Sequence, residues 1–241
     1  MDTVHTAPPA ERQSYRRVIT KSRGIQRAVD VFGSVVCLVL SSPVLLVVAL
    51  LVRQDGGPAL YRQTRAGMNG LPFEALKFRS MRVHNTPSDK LSTVHGQVDG
   101  NHPMVTPIGR WIRRFKIDEL PQAWNVLRGD MALVGPRPTI PEQILVYTDI
   151  QWRRLHVRPG MTGWAQINGG IKLTWPERIM LDVWYVEHHS LMQDLWILCR
   201  TISVIVSGEV RNAVALSKAE ELARHLGGMA VSQWPQELDK A

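Results

Sequence analysis

From Val31 to Val52 the chain reads VFGSVVCLVLSSPVLLVVALLV, and no residue of that run carries a charge. As a straight helix at ~1.5 Å per residue it would be about 33 Å long, enough to cross the hydrocarbon of a bilayer. A polar arm precedes it, and Arg53-Gln54-Asp55-Gly56-Gly57-Pro58 follows in place of a small-residue cleavage site. The segment is therefore expected to stay in the mature protein. Pro43, preceded by Ser41 and Ser42, removes a backbone donor in mid-run and should kink the helix, with serine hydroxyls placed to take up the carbonyls so released. Cations flank both ends, Lys21, Arg23 and Arg27 before and Arg53, Arg62 and Arg65 after, whereas a spanning helix tends to gather them on one side. A helix over residues 25–53 that enters, breaks at Ser42-Pro43 and returns fits these features. An ordinary kinked transmembrane helix is the competing reading.

Upstream, residues 1–24 hold Pro8, Pro9 and scattered cations without apolar periodicity. They read as a disordered basic arm, either adhering to anionic lipid or simply solvated. Downstream, Pro58–Arg65 and Leu71–Arg79 flank Gly67-Met68-Asn69-Gly70, and Asn-Gly is a strong turn signal, so a short β-hairpin is predicted. Lys77 and Arg79 are two apart and share one face of its second strand, opposite Leu76 and Phe78. Val83 to Val105 reads as a long loop, with His84, His95 and His102 as loop histidines. Thr106-Pro107 then opens a helix whose Ile108, Trp111, Ile112 and Phe115 follow helical spacing, with Arg110, Arg113, Arg114 and Lys116 on the remaining positions. Such a stripe either lies on a membrane surface or packs into the protein's own core. Eight tryptophans against four phenylalanines suggest interfacial seating as well, although ordinary core use would also explain them. Ser190–Val206 and Leu216–Leu226 read as helices, the second within a C-terminal tail over 211–241.

At 241 residues the chain is expected to form one principal domain, over 54–210, with tails. Lys plus Arg exceed Asp plus Glu by 29 to 21, a formal charge of +8 that favours acidic partners. Two cysteines, Cys37 and Cys199, give neither a disulfide framework nor a spaced zinc site. The fold class expected is α+β: a membrane-embedded helix-break-helix and a mainly helical domain with a short hairpin and interfacial amphipathic helices.

The densest chemistry lies in KIDELPQAWNVLRGDMALVGPRP, Lys116 to Pro138. Asp118 and Glu119 sit among Arg110, Arg113, Arg114, Lys116, Arg128 and Arg137, and a carboxylate held among cations should stay ionised at neutral pH. It could attack phosphorus or hold a metal. Neighbouring helical residues point about 100° apart, so the two carboxylates cannot share a proton as a facing pair would, and different tasks are implied. One suits a nucleophile and the other a Mg²⁺ ligand. In Val134-Gly135-Pro136-Arg137-Pro138 the prolines stiffen the backbone that displays Arg137, which lowers the entropy lost on gripping a phosphate.

KFRSM (Lys77–Met81), DELPQ (Asp118–Gln122), NVLRGDMALVGPRP (Asn125–Pro138) and RPGMTGWAQING (Arg158–Gly169), with Ser42-Pro43, closely resemble the bacterial sugar transferases known as monotopic polyprenyl-phosphate phosphoglycosyltransferases. The resemblance covers about Gln26 to Gly208. It implies that Asp118 attacks the β-phosphate of a UDP-sugar, releasing the nucleoside monophosphate, and that undecaprenyl or another polyprenyl phosphate then takes the sugar-phosphate from the aspartate. It further implies Mg²⁺ held by Glu119 with Asp118, and phosphates held by Lys77, Arg79, Arg113 and Arg137. The partners implied are UDP-sugar, polyprenyl phosphate and membrane lipids, without nucleic acid, and a homodimer is allowed. The implied setting is the bacterial inner membrane, with the active site on its cytosolic face, in exopolysaccharide or related glycan assembly. One position departs from the family pattern: Gly170 stands where Arg is common after Asn-Gly, and Lys172 is the nearby cation that could replace it. Two rival classes remain, a membrane-tethered nucleic-acid binder suggested by the basic charge and a tryptophan-rich scaffold without catalysis.

Overall fold

The computed structural model describes residues 23–54, 56–82 and 103–227. Most of the N-terminal arm, the loop histidines and the last residues of the tail lie outside these. The first element, α1 (Arg23–Arg53), is one helix of 31 residues with Pro43 inside it. The expected interruption at Ser42-Pro43 is therefore not a non-helical break. Pro43 has no N–H for the Val39 carbonyl, but Ser42 Oγ donates to that oxygen at 2.8 Å and Ser41 Oγ donates to the Cys37 carbonyl at 2.6 Å. With the freed carbonyl satisfied, helical backbone continues through the proline.

Both ends of α1 dock on the same domain. Near its start, the Arg27 guanidinium donates to the Val126 and Leu127 carbonyls at 2.6 and 2.7 Å, and Asp30 Oδ1 accepts from the Leu133 N–H at 2.8 Å. Near its end, Val48 and Val52 are buried with Phe78 and Ile112. Between these anchors Val39, Leu40, Leu46 and Val47 are exposed. By length and composition the helix could cross a membrane.

The hairpin forms as the turn chemistry requires. Strands β1 (Leu60–Ala66) and β2 (Pro72–Phe78) pair antiparallel from Leu60 opposite Phe78 to Ala66 opposite Pro72. Asn69 and Gly70 take positive φ, 57° and 75°, which Asn and Gly tolerate best. Helix α2 (Pro107–Arg114) starts where Thr106 Oγ1 accepts from the Gly109 N–H at 2.9 Å. Its apolar stripe is divided: Ile112 is fully buried in the core, while Trp111 and Phe115 pack on each other and stay about half exposed. A 3₁₀ turn, Ile117–Glu119, leads to α3 (Gln122–Arg128) and the short strand β3 (Ala132–Val134).

Two four-residue helices follow, α4 (Pro141–Ile144) and α5 (Asp149–Trp152), before β4 (Gly160–Thr162) pairs parallel with β3. This pairing brings Val134-Gly-Pro-Arg-Pro beside Arg158-Pro-Gly. A Cβ on Gly160 would lie 2.1 Å from the Gly135 nitrogen, so the approach needs glycine there.

Helix α6 (Trp164–Ile167) precedes α7 (Trp175–His188), which is the centre of the core. Ile179, Leu181, Val183 and Tyr185 of α7 are almost fully buried. Helix α8 (Leu191–Ser207) covers part of α7 but leaves Met192, Trp196, Ile202 and Val206 exposed. The helix that the sequence places in the tail, α9 (Ala213–His225), packs into the same core through Ala215, Leu216, Ala219 and Ala223. The tryptophans divide between core and surface. Trp164 and Trp184 stack at 4.7 Å beside the core, whereas Trp124 and Trp196 remain about half exposed. Among the described residues the architecture is α+β and mainly helical, with two small two-stranded sheets.

Candidate active site

The 3₁₀ turn that carries the carboxylate pair is aimed by an unusual backbone. Lys116, just before it, has φ 57°, a left-handed conformation rare outside glycine, asparagine and aspartate. This reverses the chain at the end of α2 and turns Asp118 inward, where it is 8% exposed. Strand β2 is held against α3 by Asn125, which is wholly buried. Its Oδ1 accepts from the Leu76 N–H at 2.9 Å and its Nδ2 donates to the Glu74 carbonyl at 2.7 Å, so one side-chain amide acts as the missing strand neighbour. That clamp sets Lys77 opposite Glu119.

Three donors converge on Glu119. Lys77 Nζ donates to Oε1 at 2.9 Å, Arg137 Nη1 donates to Oε2 at 3.0 Å, and Arg137 Nη2 donates to Oε1. Burial alone would raise the Glu119 pKa, but Arg137 and Lys77 outweigh it and hold the carboxyl well below its ordinary value. Asp118 behaves in the opposite way. Burial and the adjacent Glu119 charge raise it to about 6, against the pull of Lys77, Arg137 and Arg113. Desolvation is thus a larger effect at Asp118 than the surrounding cations, which alone would hold its carboxyl low. A carboxyl with that pKa is still mostly ionised at pH 7, and as a stronger base it is a better nucleophile than an exposed aspartate.

The structure brings Asp118, Glu119, Lys77 and Arg137 together and sets Arg113 at their edge, where its Nε donates to Ser80 Oγ at 2.8 Å. Arg79 is built in elsewhere: the strand ends at Phe78, and the Arg79 guanidinium donates to the Val52 carbonyl at 2.7 Å and the Pro58 carbonyl at 2.8 Å, closing the C-terminus of α1. Ser42 and Pro43 lie in the exposed middle of α1.

Sequence reasoning passed over three contributors. Arg65 is half-buried in the same electrostatic neighbourhood, and desolvation together with the Arg137 charge lowers its pKa to about 10. Arg154 donates to Asp182 Oδ2 at 2.6 Å, to the Tyr147 hydroxyl at 2.7 Å and to the Arg137 carbonyl at 2.8 Å, with both charged side chains only 2% exposed. This pair fixes the backbone from which Arg137 projects. Glu209 reaches Lys116 from beyond α8. The hint for Arg154 was its place in the Arg153-Arg154 pair just after α5; nothing local marked Asp182.

As a metal donor set, the pair offers carboxylate oxygens of the type Mg²⁺ prefers, and Mg²⁺ commonly takes one or two carboxylates when substrate phosphates complete its shell. No cluster of three or more His, Cys, Asp or Glu side chains suited to a metal occurs among the described residues. The donor chemistry therefore fits a cation that arrives with a phosphate ligand.

Residues 21–208 match the family described as bacterial sugar transferase. An uncharacterised sugar transferase of Bacillus subtilis is 40% identical over 186 residues, covering 77% of this chain and 89% of that protein. The undecaprenyl-phosphate galactose phosphotransferase of Salmonella typhimurium is 36% identical, covering 77% of this chain and 42% of its own length. The UDP-glucose:undecaprenyl-phosphate glucose-1-phosphate transferase of Escherichia coli is 40% identical, covering 75% and 40%. The chain thus spans most of the first relative and about two-fifths of the other two. A match over that much of the chain, with the carboxylate pair and its cations inside the matched region, shows that this chain belongs to the bacterial sugar transferase family.

Proposed function

We propose that the protein transfers a sugar-1-phosphate from a UDP-sugar to a polyprenyl phosphate such as undecaprenyl phosphate at the surface of the bacterial inner membrane, through a covalent intermediate on Asp118. The observation that carries this reading is the split pair: Asp118 buried with its pKa raised to about 6, beside Glu119 held ionised by Lys77 and Arg137. In the first step an Asp118 oxygen attacks the sugar-linked phosphorus, the bond to the bridging oxygen breaks, and the nucleoside monophosphate leaves with that oxygen. In the second, a phosphate oxygen of the polyprenyl phosphate attacks the same phosphorus, and the Asp118 carboxylate departs.

Lys77, Arg137 and Arg113 are the cations placed to neutralise charge on the phosphates, and positioning with charge neutralisation carries most of the catalysis in such transfers. Glu119 orients Lys77 and Arg137 toward Asp118, and both carboxylates would hold Mg²⁺. When bound, Mg²⁺ supplies further charge neutralisation of the diphosphate. The relatives' names support the general reaction. The engagement of Lys77 and Arg137 with Glu119, away from an open basic face, favours this enzyme reading over nucleic-acid binding.

The test is incubation of the full-length protein, in membranes, with a panel of UDP-sugars in the absence of lipid acceptor. Stoichiometric monophosphate release and a sugar-phosphate mass increment on the Asp118 peptide are expected. Brisk turnover with acceptor, but an unmodified peptide at every quench time, would rule out the intermediate.

The membrane arrangement follows from α1. Its two ends dock on one domain while its apolar middle is exposed, which supports a continuous helix seated in one leaflet with both ends on the same face. Cysteines introduced at residues 24 and 54 should both react with an impermeant reagent from the cytosolic side. Labelling from opposite faces would establish a spanning helix instead.

A further inference from the structure

Glu209 lies between α8 and α9, just outside the matched family region, and its side chain is only 13% exposed. Its Oε1 is 3.3 Å from Lys116 Nζ, and its Oε2 accepts from the Ile171 N–H at 2.6 Å. The carboxylate rests directly on Gly170: a Cβ there would lie 2.3 Å from Glu209 Cδ, and φ at Gly170 is +52°. Residue 170 must therefore be glycine for Glu209 to sit where it does. The segment bearing Glu209 is tied down, since the Asn212 N–H donates to the Asn168 carbonyl at 3.0 Å and Asn212 Nδ2 donates to Asn168 Oδ1 at 2.8 Å.

Lys116, by contrast, is 44% exposed, and it immediately precedes the turn with Asp118 and Glu119. The Glu209 charge is also felt at Arg137, where it adds to the stabilisation of the guanidinium. A third carboxylate thus lies beside the cations of the candidate site, and it holds a lysine whose long side chain is nearly half exposed.

We propose that Glu209 is an internal counter-anion that competes with substrate phosphate for Lys116 and so sets the site's affinity for phosphate ligands. This rests on the reading of Asp118 and Glu119 as the transfer site. When a diphosphate enters, Lys116 leaves Glu209 for a phosphate oxygen; when the nucleoside monophosphate leaves, Glu209 recovers Lys116 and opposes rebinding. Glycine at 170 makes room for this device. The role is one of tuning affinity, and no bond is made or broken at Glu209.

The test is binding of inorganic pyrophosphate to full-length protein in nanodiscs, together with steady-state kinetics on a UDP-sugar. Glu209→Gln keeps an acceptor for the Ile171 N–H and removes the charge. It should tighten pyrophosphate binding and lower KM by about fivefold, the size of a partly exposed ion pair, without raising kcat. In a Lys116→Met background the same change should have less than about a twofold effect, because the competition has gone. A merely structural Glu209 would give unchanged or weaker pyrophosphate binding in both backgrounds, and that result overturns the proposal. If the wild type transfers sugar-phosphate yet Glu209→Gln leaves pyrophosphate affinity unchanged, the counter-anion idea alone fails. If the affinity shift appears but no UDP-sugar is ever turned over, the counter-anion stands and the assignment of the reaction fails.

Discussion

Asp118→Asn is expected to abolish release of nucleoside monophosphate, by at least about a thousandfold, while leaving the protein in the membrane fraction and more stable than the wild type. The loss follows from chemistry: an amide cannot supply the carboxylate oxygen that forms, and later leaves from, the acyl-phosphate bond the two-step route needs. The gain in stability follows from burial. Asp118 has its folded pKa raised from 3.8 to about 6. The folded state therefore holds that proton more tightly than the unfolded chain does, so stability is greatest below pH 4 and is lost as pH rises toward 6. Above that window the full cost of a buried charge is present, on the order of 1–3 kcal/mol. Asparagine removes it. Thermal denaturation at pH 7 should show a midpoint higher by about 2–8 °C, and the difference should shrink as the pH falls through 6 toward 4. The same ionisation governs the rate. Single-turnover monophosphate release by the wild type should fall about tenfold per pH unit below pH 6 and level off above it. An Asp118→Asn variant with normal turnover, or with a lowered midpoint at pH 7, would contradict this account of the site.

Breaking the buried Arg154–Asp182 pair should have the largest effect on folding. Both side chains are only 2% exposed, and Arg154 also holds the Tyr147 hydroxyl and the Arg137 carbonyl. Asp182→Ala leaves a guanidinium in the interior without its carboxylate, which costs about 3–5 kcal/mol in comparable cases. The thermal midpoint should fall accordingly. Replacing both partners, Arg154→Met with Asp182→Leu, removes both charges from the interior and should recover part of that loss. Activity gives the second readout. Because Arg154 fixes the Arg137 backbone, the double variant should regain stability without regaining full kcat. A double variant no more stable than Asp182→Ala would show that the loss comes from packing and not from an unpaired charge.

Elements with a visible period or a local turn chemistry could be read directly from the residues. The uncharged run around Pro43 gave a long helix, Asn69-Gly70 gave the hairpin, and Thr106-Pro107 gave the start of α2. Helix α7 was passed over because it is buried on nearly every side, so no polar face alternates with its apolar one. The β3–β4 pairing escaped because three-residue strands are too short to show alternation. Ser42 could be recognised as a helper for the proline, yet its bond to the Val39 carbonyl keeps the backbone helical where a break was expected.

The candidate site divides in the same way. Residue types and spacing alone determined that Asp118 and Glu119 lie among cations on a chain that carries one long apolar helix, because that information is local. Which cation meets which carboxylate was decided by tertiary structure. Lys77 reaches Glu119 across 42 residues and Arg137 across 18, Arg79 is used to close α1, and Arg154 is used to hold Arg137. The ionisation of Asp118 was decided there as well. A charge's energy depends on how much water the folded chain leaves around it, and no stretch of sequence states its own burial.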